Sequence, residues 1–203
     1  MRVRVQSRHV PKALRAQTNA AFLVGFMGAG KTSVGSALGR QLNWIFEDLD
    51  DRIVRREGRA IAEIFRDSGE KEFRRAEHAA LKEVLDEIEA SPRIVALGGG
   101  AFVQPENATL LRASGLPTVF LDAAADELWQ RCSTQAAAAG TERPLLRDRE
   151  QFGTLYVGRR PAYAKASIKI QTGNRSVDDL AAEIVKKLRL KKIEIRVEEG
   201  ETE

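Results

Sequence analysis

The stretch GFMGAGKTSVG, residues 25–35, follows the apolar run AAFLV and precedes a segment that reads as a helix. Gly25–Thr32 fits the pattern G-x-x-x-x-G-K-[ST], a loop that cradles phosphates. No other feature constrains the fold as tightly. The loop needs a strand before it, glycines that turn successive N–H groups inward, and a helix whose positive end faces the anion. Lys31 reaches the β- and γ-phosphates of a nucleotide bound in such a loop, and the Thr32 hydroxyl ligates Mg²⁺. Gly28, Ala29, Gly30, Lys31, Thr32 and Ser33 are therefore the candidate nucleotide contacts. The pattern does not say where the last phosphate goes: to water, a protein, a nucleotide or a small alcohol.

The rest of the chain repeats the strand-then-helix rhythm that the loop begins. Short apolar runs at 21–24, 44–47, 93–97, 117–121 and 166–170 read as strands. Helices are expected over about 32–42, over the stretch GEKEFRRAEHAALKEVLDEIEA, after the fourth strand through Trp129, and over 176–188 behind Ser176 as N-cap. In the second of these, Phe73, Ala76, Ala80, Leu81, Val84, Leu85 and Ile88 recur at gaps of mostly three and four, the spacing of one helix face. Strands alternating with helices predict an α/β fold with a parallel sheet covered on both faces. In such sheets ligands bind beyond the carboxyl ends of the strands. Three suggestive loops sit at those ends: Gly25–Thr32, Asp48–Asp50 and Gly98–Gly100. Together they point to one cleft.

The chain has 203 residues, which suits one domain with a substantial core. The expected organisation is a basic extension over 1–17, a single domain over 18–190 and a tail over 191–203. Net charge is +4, yet residues 1–17 hold five basic residues and no acid. Taking those five from the 33 leaves 28 basic against 29 acidic residues, so the body is close to neutral. A basic tail can touch anionic partners, and an acid-free, Arg-bearing start has a faint likeness to an organellar transit peptide. The plainer reading is a poorly ordered extension. A near-neutral body without aromatic-basic motifs argues against nucleic-acid binding. No run approaches the roughly 18–20 apolar residues of a membrane span. Cys132 is the sole cysteine, so an intramolecular disulfide is impossible, in keeping with a cytoplasmic setting. Two histidines and one cysteine leave little for a structural zinc site.

Asp48 and Asp50 leave a strand at alternate positions, so both carboxylates can face the cleft. One suits a metal ion and the other an acceptor hydroxyl. Turn chemistry or a helix cap explains such a pair equally well. Arg74 flanks the buried stripe of its helix, with Glu77 as an i,i+3 partner. Arg159 precedes Pro161, which limits helix continuation. Each arginine fork suits a carboxylate, although a lone arginine more often belongs to a solvated face. Gly98, Gly99 and Gly100 let a ligand approach backbone closely, or simply form a flexible turn. The stretch AAAAGTERPLLRDRE, residues 136–150, reads as a mobile lid bringing Arg143 over the phosphates, or as a helix end with an exposed loop.

Six motifs in order, GFMGAGKTSVG, FEDLDDRI, GEKEFRRAE, LGGGAF, RPLL and RRPAY, resemble those of the shikimate kinases across about residues 20–190. The resemblance implies a three-layer αβα P-loop kinase fold with a five-stranded parallel sheet in the order 2-3-1-4-5 and a mobile lid. It implies transfer of the ATP γ-phosphate to the 3-hydroxyl of shikimate, with Mg²⁺ and a monomeric enzyme. By residue, it implies that Lys31, Asp50 and Arg143 act in catalysis and that Asp48 joins Thr32 at the metal. Asp50, Arg74, Gly98, Gly99, Gly100 and Arg159 fall on the substrate, and Arg131 on adenine. The chain departs in two places: the segment between Arg131 and Arg143 is longer and Ala-rich, and Ala162 replaces a common leucine. Kinases of gluconate or nucleotides share the phosphate loop, but Asp50, Arg74, the glycine triplet and Arg159 are not expected together in them. A nucleotide-binding regulatory module is a further reading, opposed by the intact set of catalytic residue types.

Overall fold

The computed structural model describes residues 18–139 and 148–193. Arg143, the basic extension 1–17 and residues 194–203 lie outside them. Five strands, β1 (Ala20–Val24), β2 (Ile45–Asp48), β3 (Arg93–Ala96), β4 (Thr118–Asp122) and β5 (Ile168–Gln171), form one parallel sheet in the order β2-β3-β1-β4-β5. That is the expected fold and strand order. In the register, Phe22 of β1 stands opposite Val95 on one side and Thr118 on the other. Central β1, β3 and β4 are buried along their whole length, which is why they read as unbroken apolar runs rather than alternations.

Parallel neighbours need crossover connections, and helices supply them. They are α1 (Lys31–Leu42), α2 (Leu49–Glu57), α3 (Ile61–Glu87), α4 (Pro105–Ser114), α5 (Ala125–Ala139), α6 (Arg149–Tyr163) and α7 (Val177–Leu188). A 3-10 turn over Ala101–Val103 follows the glycine triplet. None of the described helices is long and apolar enough to cross a membrane.

The structure revises several element boundaries. The helix expected from Gly69 begins upstream at Ile61 and is broken at Gly69, whose φ of 77° and ψ of 175° are not helical. Glycine is the residue that reaches this conformation without strain. α2 escapes a periodicity reading because only Leu49 and Ile53 are buried in it. In α6, Phe152, Tyr156 and Tyr163 face inward, and Pro161 sits in the last turn without stopping the helix before Tyr163. Fold contacts also run to the end of the described chain. Leu190 is buried, Trp44 Nε1 donates to Lys191 O at 3.1 Å, and Asn43 Nδ2 donates to Ile193 O at 2.9 Å.

Candidate active site

The phosphate loop is shaped by left-handed backbone at Gly28 and Gly30, with φ of 76° and 88°. It is held from two sides. Phe26 packs edge-on against Phe152 and Tyr156 of α6 at centroid distances of 5.0 and 5.6 Å. α5 presses on Gly28, where an added methyl would come within 2.7 Å of Cys132 Sγ. Lys31 Nζ donates to Gly25 O at 2.9 Å and Phe26 O at 3.0 Å. Burial lowers the Lys31 pKa, and nearby Asp50 and Asp48 oppose that shift. Ala29 is buried and its N–H turns into the loop, toward Phe26 O at 3.3 Å.

A cleft of about 300 Å³ joins this loop to the next two strand ends, and Lys31, Thr32, Ser33, Asp48, Asp50 and Gly98 are among its walls. Asp48 takes the capping role that its position allowed. Its Oδ1 caps α2 by accepting from Asp50 N at 3.1 Å, while its Oδ2 accepts from Thr32 Oγ1 at 3.0 Å. A hydroxyl and a carboxylate this close are hard oxygen donors of the kind Mg²⁺ takes, usually alongside phosphate and water. Among the described residues no cluster of three or more His, Cys, Asp or Glu forms a metal cage by itself. The donor set therefore fits a metal that arrives with phosphates. Asp50 faces the same space. Burial, reinforced by Asp48, raises its pKa, against the pull of Lys31.

The glycine triplet brings the two distant arginines together. A methyl on Gly98 would meet Asp50 Oδ1 at 2.6 Å, and one on Gly100 would meet Arg74 Nη1 and Nη2 at 2.7 and 2.8 Å. Arg159 Nη1 donates to Gly99 O at 3.4 Å. Side chains from α2, α3 and α6 thus close on three consecutive backbone positions. Glu77, 1% exposed, holds Arg74 through Nη1 at 3.0 and 3.1 Å, the i,i+3 pairing its spacing predicted. Burial raises the Glu77 pKa, opposed by Arg74 and Arg159. The Arg74 guanidinium also lies over the Phe73 ring, 5.0 Å from its centroid.

Two contributors were given no role from sequence, although Tyr163 closes the RRPAY motif. Tyr163 donates its hydroxyl to Gly99 O across 64 residues, and burial pushes its pKa up to about 12. Buried Asp122 accepts from Arg160 Nη2 at 2.8 Å and Tyr156 Oη at 3.2 Å, fixing α6 and so the neighbouring Arg159. Arg131 is spent on its edges, donating to Thr172 Oγ1 at 3.1 Å, Thr172 O at 3.0 Å and Gly28 O at 3.5 Å. Edge bonds of this kind leave the planar faces of a guanidinium for stacking. A wider groove of about 730 Å³ lies between α3 and α4, walled by Lys71, Glu72, Arg75, His78 and Glu106 with Arg74 at its margin. It lacks the phosphate loop and the aspartates, so chemistry rather than volume selects the smaller cleft.

Comparison with known proteins agrees with this geometry. The shikimate kinase family model matches residues 27–189. The shikimate kinase of Cereibacter sphaeroides is 41% identical over 165 residues, covering 80% of this chain and 78% of that protein. A solved shikimate kinase from Acinetobacter baumannii, in complex with shikimate, aligns with a TM-score of 0.74 at 32% identity over 84% of this chain and 93% of that one. A gluconokinase from Sinorhizobium meliloti aligns with a TM-score of 0.53 at 18% identity over 86% and 94%, sharing the fold alone.

Proposed function

The chain belongs to the shikimate kinase family, and from that premise we propose how its cleft moves the γ-phosphate of ATP to the 3-hydroxyl of shikimate. The observation that carries the proposal is the convergence of Asp50, Arg74 and Arg159 on Gly98–Gly100, beside Lys31 and Thr32.

Phosphoryl transfer runs through a loose transition state, so positioning and charge neutralisation dominate its catalysis. Arg74 and Arg159 hold the substrate carboxylate with charge-assisted hydrogen bonds, and Glu77 and Tyr163 keep that corner in place. Asp50 accepts a hydrogen bond from the 3-hydroxyl. As the new O–P bond forms and the β–γ bridging bond breaks, it takes the hydroxyl proton. Lys31 stabilises charge developing on the phosphate oxygens. Gly28, Gly30 and Ser33 line the polyphosphate path, and the face of Arg131 is the place for adenine. Thr32 and Asp48 are the residues that would hold Mg²⁺, which would supply charge neutralisation. Arg143 is assigned by its motif alone. The same reading makes the protein a cytoplasmic monomer.

The test is ADP release measured with shikimate, gluconate and nucleoside monophosphates as acceptors, with and without Mg²⁺. Release with shikimate alone, and only when Mg²⁺ is present, is expected. Equal release with gluconate or a nucleotide overturns the substrate assignment.

A further inference from the structure

One polar side chain of the cleft wall, Gln135 of α5, has no part in the roles assigned above. α5 lies directly on the phosphate loop, and it does so with residues at helical spacing. Leu128 O and Cys132 Sγ would come within 2.9 and 2.7 Å of a methyl on Gly28, and Arg131 reaches Gly28 O. Gln135 follows Arg131 by four residues and Cys132 by three, so it continues the same face one turn further. It lines the cleft together with Lys31, Thr32, Asp50, Gly98 and Gly99. Ala136, Ala137 and Ala138 come next, making Gln135 the last polar side chain on the described length of α5. Among the described residues its amide has no hydrogen-bond partner.

We propose that Gln135 is a further nucleotide-binding residue, whose Nε2–H donates to an oxygen of the terminal phosphate of ATP. The proposal rests on the kinase reading above. The chemistry suits a carboxamide at this place. Lys31 already brings a cationic side chain to this cleft, and an amide adds a directed donor without a second charge to desolvate. A carboxylate with the same reach would face the phosphate oxygens with like charge.

Gln135 is exposed, so its variants are expected to fold, and an unchanged thermal midpoint checks this. In the full chain, Gln135→Ala is expected to lower kcat/KM for ATP about tenfold, the loss of one hydrogen bond to a charged group. Gln135→Glu is expected to lower it further, with KM for shikimate within about twofold in both variants. Calorimetric titration separates the phosphates. Affinity for a non-hydrolysable ATP analogue falls in Gln135→Ala, while affinity for ADP does not. Variants that match the parent within about twofold, or that lose ADP and the analogue equally, overturn the assignment. A parent chain that releases no ADP with shikimate would sink the kinase reading instead, so the two failures are distinguishable.

Discussion

Arg74 divides its guanidinium between the buried Glu77, the exposed Glu70 and the space in front of Gly100. Arg74→Ala is therefore expected to raise KM for shikimate by roughly 100-fold, the cost of a charge-assisted contact, and to leave KM for ATP within about threefold. Steady-state kinetics against each substrate reads the split, and equal losses would refute the clamp. Asp50 carries a different expectation, because its pKa is raised above the ordinary 3.8. Such a group binds its proton more readily folded than unfolded. Its contribution to stability is complete below 3.8 and is lost as pH rises through the raised value. At neutral pH its charge costs stability, so Asp50→Asn is expected to match or exceed the parent thermal midpoint at pH 7. Its kcat is expected to fall by about 10²–10⁴, the range for a lost general base. The acid limb of the parent rate profile is expected above pH 3.8. Lys31, Asp48, Asp50 and the Arg74–Glu77 pair were legible because their geometry is local: a loop, a strand end, a helix turn. Tyr163 on Gly99 was not, since nothing short-range links partners 64 residues apart.

The strand-to-helix joint that carries both aspartates is fastened by residues on either side of it. Glu47, in β2, accepts from Arg52 Nε at 2.8 Å and Nη2 at 3.1 Å, bridging across Asp48 and Asp50. Arg93 Nη1 reaches Glu47 at 3.2 Å and Glu87 at 2.8 Å, tying β2 and β3 to α3. Glu47 and Arg93 are 8% and 5% exposed, so their pairing is desolvated. Glu47→Leu leaves Arg93 with Glu87 as its one carboxylate partner and is expected to cost about 3 kcal/mol, read as a fall in the urea midpoint. Glu87 adds a pH signature, because hydrogen bonding from Arg52 holds its carboxyl at about 2 against an ordinary 4.5. That contribution is present above pH 4.5 and is lost as pH falls toward about 2. Elements with a long buried stripe, such as the second half of α3, could be read from spacing. α2 could not, because ion pairs hold it where apolar residues ordinarily would. α6 was not read as a helix, and Pro161, taken as a limit on helix continuation, sits within its last turn.

Over the whole molecule, alternation announced a parallel sheet, while the order of its strands came only with the family likeness. Spacing cannot rank crossovers, since each right-handed unit looks alike in sequence. The order matters for what the substrate does to the protein. β1 is central, the helix bearing Arg74 leads into β3 on one side, and the helix bearing Arg159 follows β4 on the other. A ring acid gripped by both guanidiniums is then a rivet through two halves that the polypeptide joins only by way of the sheet. Adding shikimate is expected to slow amide exchange in α3 and α6 together, and Arg159→Ala to uncouple them. Protection confined to one half would show that the acid hangs from a single nail.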